Sequence, residues 1–270
     1  MTRDVTLTLE QYDICWADLG LDEQVYPLRI RSHGRTYEER AHLRRRVYQQ
    51  LGARELARGE RLEPELADAL TLLARAPVWV DMQWLSAPEQ AEPDRAVAAR
   101  YAEWGLIARI DGTSLRLMPC GGASLLLALI GQLPATDAAP GQSISLPREI
   151  LVPSTPSVAT SVYDTSPAMS GHFRQQYRAL QAVLAKPRLR GGQIVANGRD
   201  RTGKRHRSRP VEWFDTEAGR WTTRVLPAAD GGEHLTMSPA DNARLATQVN
   251  ELLDRMTRWP SGPTLAGAMG

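Results

Sequence analysis

Four short strand-like runs that lead directly into an amphipathic helix, all within Gly191–Met256, limit what this chain can fold into more than any other stretch. The runs are Gln193–Gly198, Val211–Asp215, Trp221–Leu226 and His234–Ser238, each bounded by turn residues. Glu217-Ala-Gly-Arg220 reads as the tight turn between the second and third, with Gly219 supplying the positive φ. Ser238-Pro-Ala-Asp241 then reads as a helix start, with Ser238 at the N-cap, Pro239 at the first helical position and Asp241 placing a carboxylate where the orphan amides need an acceptor. Leu245, Val249, Leu252, Leu253 and Met256 follow at helical spacing and form one apolar face.

The same pattern occurs earlier. Glu103-Trp-Gly-Leu matches Glu217-Ala-Gly-Arg, and Leu117-Met-Pro-Cys-Gly matches Met237-Ser-Pro-Ala-Asp. A leucine-rich helix follows each match, Ala123–Leu133 and Ala243–Met256. The pattern predicts an internal duplication of a strand meander plus helix. The expected organisation is one domain over 1–258, with halves of about 1–135 and 143–258, and a disordered Pro/Gly/Ala-rich tail over 259–270.

The first half begins with a strand, Val5–Leu7. Thr8-Leu-Glu-Gln11 is a capping box that opens a helix with Tyr12, Cys15, Trp16 and Leu19 on one face, ended by Gly20. Val25–Ile30 reads as extended. Thr36-Tyr-Glu-Glu39 is a second capping box, and its helix runs to about Gly52 with Leu43, Val47 and Leu51 inward. A third helix starts near Pro64 and carries Leu66, Leu70 and Leu73. Val78–Leu85 alternates, with Val78, Val80, Met82 and Trp84 on one face and Trp79, Asp81, Gln83 and Leu85 on the other. After the polar loop Ser86–Asp94, the runs Ala96–Glu103, Leu106–Asp111 and Ser114–Met118 complete the first meander, with a hairpin at Asp111-Gly112. Between the halves come a small-residue linker (Ala135–Gln142), an extended Ile144–Val152 and a Ser/Thr/Pro loop (Pro153–Pro167). A helix capped by Ser170 then places Phe173, Tyr177, Leu180 and Leu184 inward and stops at Pro187.

Composition narrows the function classes. A net charge of +2 argues against a generally basic nucleic-acid binder, and only Lys186 and Lys204 among the 33 basic residues are lysines. The most apolar run, Leu125–Ile130, falls far short of the ~20 residues that cross a bilayer, and the N-terminus has no apolar signal region, so the cytoplasm is the expected location. Cys15 and Cys120 lack metal-ligand spacing; they read as reduced structural thiols, with a long-range disulfide as the alternative. His33, His42, His172, His206 and His234 are scattered, and no catalytic, metal or cofactor motif is present. Cys120-Gly-Gly-Ala-Ser124 admits two readings, a thiol activated at a helix start or a buried one. The basic segment Arg199–Arg209 also admits two: a phosphate-contacting loop, or a solvated hairpin edge whose charges discourage strand pairing. The lack of interleaved aromatics favours the second.

Three segments together resemble the EspG proteins, chaperones of actinobacterial ESX (type VII) secretion. They are Leu7-Thr-Leu-Glu-Gln-Tyr-Asp-Ile-Cys-Trp16 with Ala17–Leu21, Ser32–Ala41, and Trp213–Trp221 together with Ser238–Asp241. The arginine-heavy composition agrees with an actinobacterial source. The resemblance implies an α+β fold: a central, mainly antiparallel sheet from two pseudo-symmetric halves, flanked by helical bundles. It further implies a non-enzymatic protein that binds a helical PE/PPE-type secretion substrate, covers its apolar tip and keeps it soluble for export. Family members engage that partner through a loop between early strands of the first meander and through the C-terminal helical region, and the loop here is Ser86–Asp94. The expected partner-binding residues are therefore Trp84 and Leu85 at the strand end and Glu89, Glu92 and Asp94 on the loop, where negative charge would orient a basic tip. Trp84 reads equally well as core. A nucleic-acid or phosphate-binding module using the Arg199–Arg209 hairpin is the alternative function.

Overall fold

The computed structural model describes residues 3–148, 171–228 and 231–257. Its centre is the antiparallel pair β4 (Val78–Leu85) and β9 (Arg190–Arg199), in register from Val78 opposite Gly198 to Leu85 opposite Gly191. Outward from β4 come β5 (Asp94–Tyr101), β6 (Trp104–Asp111), β7 (Ser114–Gly121) and finally β1 (Val5–Thr8). Outward from β9 come β11 (Val211–Thr216), β12 (Gly219–Pro227), β13 (Glu233–Pro239) and finally β8 (Ile144–Pro147). β10 (Arg205–Arg207) hangs on β9, making eleven strands among the described residues, and each ladder between them is antiparallel. A separate small hairpin, β2 (Ala57–Arg58) and β3 (Arg61–Leu62), follows the second helix.

Among the described residues, helices cover the two faces unequally. On one face α1 (Leu9–Asp18), α2 (Tyr37–Ala53) and α3 (Pro64–Arg75) bury Trp79, Val97, Leu106 and Leu117 of the first half. The same face of the second half is covered at its outer strands by α5 (Gly171–Leu184), whose Leu180 and Val183 pack on Phe214, Trp221 and Met237. The opposite face carries α4 (Leu125–Ile130) and α6 (Asn242–Thr257) side by side over Val80, Met82, Trp84, Ile194 and Trp213. The path β1–α1–α2–α3–β4–β5–β6–β7–α4 thus recurs as β8–α5–β9–β11–β12–β13–α6, with the β4–β9 pair at the pseudo-twofold centre.

Of the two sequence anchors of this repeat, one holds to the residue. Tyr101 pairs with Trp104 and Thr216 with Gly219, so both hairpins have two-residue tips. Pro119 then pairs with Leu106 and Pro239 with Trp221, two residues into β6 and β12 respectively, so the prolines are equivalent. The Glu-x-Gly anchor is offset by one residue. Gly219 opens β12 at φ +121°, whereas Gly105 lies inside β6, and Ala102 takes the positive φ (51°) at that tip. Gly105 is small for a different reason: a Cβ there would lie 3.1 Å from the Cys120 sulfur and from Leu125.

The capping chemistry at Thr8 forms in full. Its hydroxyl accepts from the Gln11 N–H at 3.1 Å, and Gln11 Oε1 accepts from the Thr8 N–H at 3.1 Å, an arrangement worth about 1 kcal/mol. At the second box Thr36 caps Glu39, but Glu39 reaches back one residue further, to the Arg35 N–H. Ser238 is not the cap of α6. Ser238 and Pro239 complete β13 opposite Thr222 and Trp221, and Asp241 caps instead, accepting from the Arg244 N–H at 2.8 Å. Sheet pairing with β12 claims the backbone that local preference assigned to the helix. α4 is likewise shorter than Ala123–Leu133. Val25–Ile30 joins no strand; the Leu28 N–H bonds back to the Val25 carbonyl and Ile30 is held by the Gln24 side chain. The expected loop Pro153–Pro167, the Ser170 cap, the end of the Ile144–Val152 run and the C-terminal tail lie outside the described residues.

Candidate functional site

Among the described residues, a groove of about 850 Å³ opens between the loop after β4 and the C-terminal end of α5. β4 ends there, and its last residue, Leu85, turns toward the groove with 37% of its surface exposed. Leu184, at the end of α5, and Leu189, just before β9, face the same space at 44% and 39% exposure. Phe214, Leu235 and Met237 form the floor. Single exposed leucines are ordinary, but three around one concave apolar floor make a surface that gains by being covered. The glycines at the start of β9 make room. At Gly191 a Cβ would meet the Trp213 carbonyl oxygen at 2.9 Å, and at Gly192 it would meet the Gln83 carbonyl oxygen at 2.3 Å and the Trp84 Cβ at 2.6 Å.

The loop after Leu85 is an ordered wall. The Ser86 N–H donates to Gln90 Oε1 at 2.6 Å and the Gln90 N–H to the Ala87 carbonyl at 3.2 Å. Trp84 Nε1 donates to Ser86 Oγ at 3.0 Å, which in turn donates to Asp94 Oδ2 at 2.8 Å. Arg109 holds the other Asp94 oxygen at 3.2 Å and lies over the Trp84 indole. Of the expected contact residues, therefore, Trp84 is 2% exposed and belongs to the core beneath the loop, and Asp94 anchors the loop. Leu85 lines the groove, and Glu89 and Glu92 are exposed on the loop beside it. Leu184 continues the inward spacing of Tyr177 and Leu180, but α5 ends there, and this last leucine of the stripe overhangs the groove. Arg188, which no motif marked, forms part of the wall with its guanidinium 4.7 Å from the Phe214 ring centre.

Behind the groove lies a buried ion cluster made by the Trp213–Trp221 segment. Fully buried Arg220 donates to both oxygens of Asp215, at 2.7 and 3.0 Å, and Arg190 donates to Asp215 at 2.7 Å. Arg220 also bonds the Pro134 carbonyl and Asn242 and stacks on Trp213, tying the inter-half linker and the start of α6 to β12. These bonds brace the strands that carry the groove floor, and Arg190 also reaches the groove lining.

The basic hairpin is also largely engaged by the protein itself. Arg199 donates to the Ala74 and Ala76 carbonyls, closing the end of α3. Arg207 makes a two-pronged pair with buried Asp81 at 2.7 and 3.1 Å, and Asn197 adds a third bond at 2.8 Å. Burial still pushes the Asp81 carboxyl above its ordinary range, with Arg207 and Asn197 opposing that shift. Arg209 pairs with Glu233. The hairpin is thus not merely a solvated edge, and as a phosphate loop it lacks three of its arginines. Cys15 and Cys120 are both free thiols. Burial pushes Cys15 up to about 12 and raises Cys120 as well, the opposite of an activated nucleophile. Among the described residues no group of His, Cys, Asp and Glu is placed to hold a metal ion, and no helix is long and apolar enough to cross a membrane.

The profile of the EspG family matches residues 8–251, nearly the whole described sheet and its helices. The chain belongs to the EspG family. Among solved structures it is similar to the Mycobacterium tuberculosis type VII secretion system chaperone EspG5, solved in complex with a PE25–PPE41 dimer. That match has a TM-score of 0.69 at 14% identity and covers 97% of this chain and all of the other. At that identity the likeness carries the fold. No curated protein sequence matches the chain. The Trp213–Trp221 and Thr8–Gln11 segments that carried the resemblance serve this family fold as a buried ion cluster and a helix cap.

Proposed function

We propose that this EspG-family chain is a non-catalytic chaperone that holds a helical type VII secretion substrate of the PE/PPE kind before export, in the cytosol, with the substrate's apolar tip in the groove between the Ser86–Pro93 loop and α5. The observation that carries this reading is the groove itself: three exposed leucines around an apolar floor, on a scaffold braced behind it by the Asp215–Arg220 pair. Membership of the EspG family supports it, as does the likeness to a chaperone solved with a PE–PPE pair. Such a site needs no chemistry. It needs apolar area and a preformed shape, which limit the ordering cost of capture. Leu85 is the contact expected on the strand side and Leu184 the contact expected on the helix side. Glu89 and Glu92 lie where their charge steers approach, while Trp84 and Asp94 support the loop from below.

The test replaces residues 86–93 with a short glycine turn and measures binding to co-expressed PE/PPE pairs from the same genome. The shortened protein should unfold cooperatively and lose the complex. Unchanged affinity in that folded variant would show that the partner sits elsewhere.

A further inference from the structure

The groove floor is built of two cross-strand rows. Leu85, Gly191, Phe214 and Trp221 stand opposite one another across β4, β9, β11 and β12. Two residues along each strand, on the same face, Gln83, Gln193, Glu212 and Thr223 form a second row. The first row is apolar, and Gly191 leaves a notch in it between Leu85 and Phe214. The second is polar. Its ends are settled, since the Gln83 amide donates to the Tyr26 hydroxyl and Thr223 is buried. Its middle is not: among the described residues the side chains of half-buried Gln193 and exposed Glu212 bond to no other group. The groove's cations do not neutralise Glu212 either, because Arg190 is paired with Asp215 and Arg188 lies over Phe214. A floor otherwise suited to an apolar tip therefore holds an uncommitted carboxylate with an amide beside it.

Resting on the groove reading above, we propose that Glu212 determines which helical tip the groove accepts. The bound helix presents an apolar side chain to the notch at Gly191 and, one turn along the same face, an arginine that pairs with Glu212 and the Gln193 amide oxygen. Covering the floor takes Glu212 out of water. An apolar side chain above it would leave the carboxylate desolvated and unpaired, and an acidic one would add repulsion, so both are selected against. A guanidinium has donors enough for the carboxylate and the neighbouring amide at once, in a planar fork. The spacing agrees. Helical residues four apart lie about 6 Å apart along the axis, and the two rows lie about 6.6 Å apart along a strand. The leucines around the groove supply apolar area, which many helices could match; Glu212 supplies the discrimination.

The experiment uses the full-length protein and the PE/PPE pair from the same genome that it binds most tightly. Glu212→Gln keeps the side chain's shape, and thermal unfolding should not change because the position is exposed. Affinity measured by calorimetry should fall about tenfold, the difference between a charge-assisted bond and a neutral one. Glu212→Arg should weaken binding further. One arginine of the partner's tip, changed to glutamate, should then restore the Glu212→Arg complex to within about threefold of the parent, and the same glutamate should weaken binding to the unchanged chain. Parent-like affinity of Glu212→Gln, or a tip in which reversal of no arginine rescues Glu212→Arg, would overturn the proposal. Leu85→Glu with Leu184→Glu scores the groove separately. If that double change abolishes capture while Glu212→Gln leaves it intact, the groove reading stands and the role of Glu212 is refuted. If neither alters affinity, or no pair binds the parent, the groove reading fails and this inference falls with it.

Discussion

The groove and the basic hairpin present opposite surfaces, and their side chains are used in opposite ways. The hairpin, Arg199–Arg209, is the most charged stretch of the chain, yet three of its arginines are bonded to the protein: to α3 carbonyls, to Asp81 and to Glu233. The groove is lined mainly by apolar side chains, with Arg188, Arg190 and Glu212 as its charged members, and among the described residues its leucines face open space. Charge in a sequence marks a ligand site only if the fold leaves it uncommitted, whereas exposed apolar area around a concave floor is uncommitted by construction. Both regions rest on a buried aspartate of the sheet: Asp81 beneath the hairpin and Asp215 behind the groove. The partners differ. Asp215 is held by Arg220, fully buried on the next strand, and Asp81 by Arg207, which reaches in from solvent at 45% exposure.

The largest effect expected from this contrast is on binding. Leu85→Glu combined with Leu184→Glu should weaken capture of the proposed PE/PPE-type partner by about 100-fold or more, since each leucine buried on binding contributes roughly 1.5–3 kcal/mol. Thermal unfolding should barely change, because both side chains are already exposed. Retained affinity, measured by calorimetry on the folded double variant, would break the comparison on the groove side.

Arg207→Ala tests the hairpin side. It leaves Asp81 buried without its cation and should cost about 1–2 kcal/mol at pH 7, less than a fully buried pair would, because water already screens Arg207. The sign of the pH dependence follows from Asp81. Its folded-state pKa is raised, so the folded state binds the proton more tightly than the unfolded chain does, and the stability this group supplies is present at low pH and lost as pH rises past the ordinary aspartate value. Removing Arg207 raises it further. The penalty of Arg207→Ala should therefore shrink as pH falls toward 4, in denaturant titrations at several pH values, while partner affinity stays unchanged. A penalty independent of pH would mean that Asp81 is not what Arg207 neutralises.

The smallest effects concern charges at the rims. Glu89→Arg with Glu92→Arg should slow association about two- to fivefold at low salt and leave dissociation and unfolding unaltered, because exposed charge acts mainly on encounter. Serine at Arg201, Lys204 and Arg205 on the hairpin tip should change stability by less than about 0.5 kcal/mol and leave affinity as it was. A steep salt dependence of wild-type binding that vanishes with this triple change would move the contact to the hairpin.

What the sequence determined by itself was whatever a few neighbouring residues decide. The Thr8–Gln11 box formed because both of its bonds close within one turn. The alternation of Val78–Leu85 assigned Val80, Met82 and Trp84 to one core and Trp79 to the other, since successive residues of a strand must face opposite ways. The matched prolines, Pro119 and Pro239, gave the repeat its correct register. Tertiary structure decided the rest. Local preference put the last helix at Ser238, but pairing with β12 held Ser238 and Pro239 in the sheet and passed the cap to Asp241. Arg207 reads as a surface charge until the fold brings it to Asp81, 126 residues away in the chain. Leu184 repeats the inward spacing of Leu180, and only the gap between α5 and the loop after Leu85 leaves it facing a groove. Spacing fixes the direction in which a side chain points relative to its own element. Whether anything meets it there depends on elements brought together by the core, and no local pattern of residues encodes that.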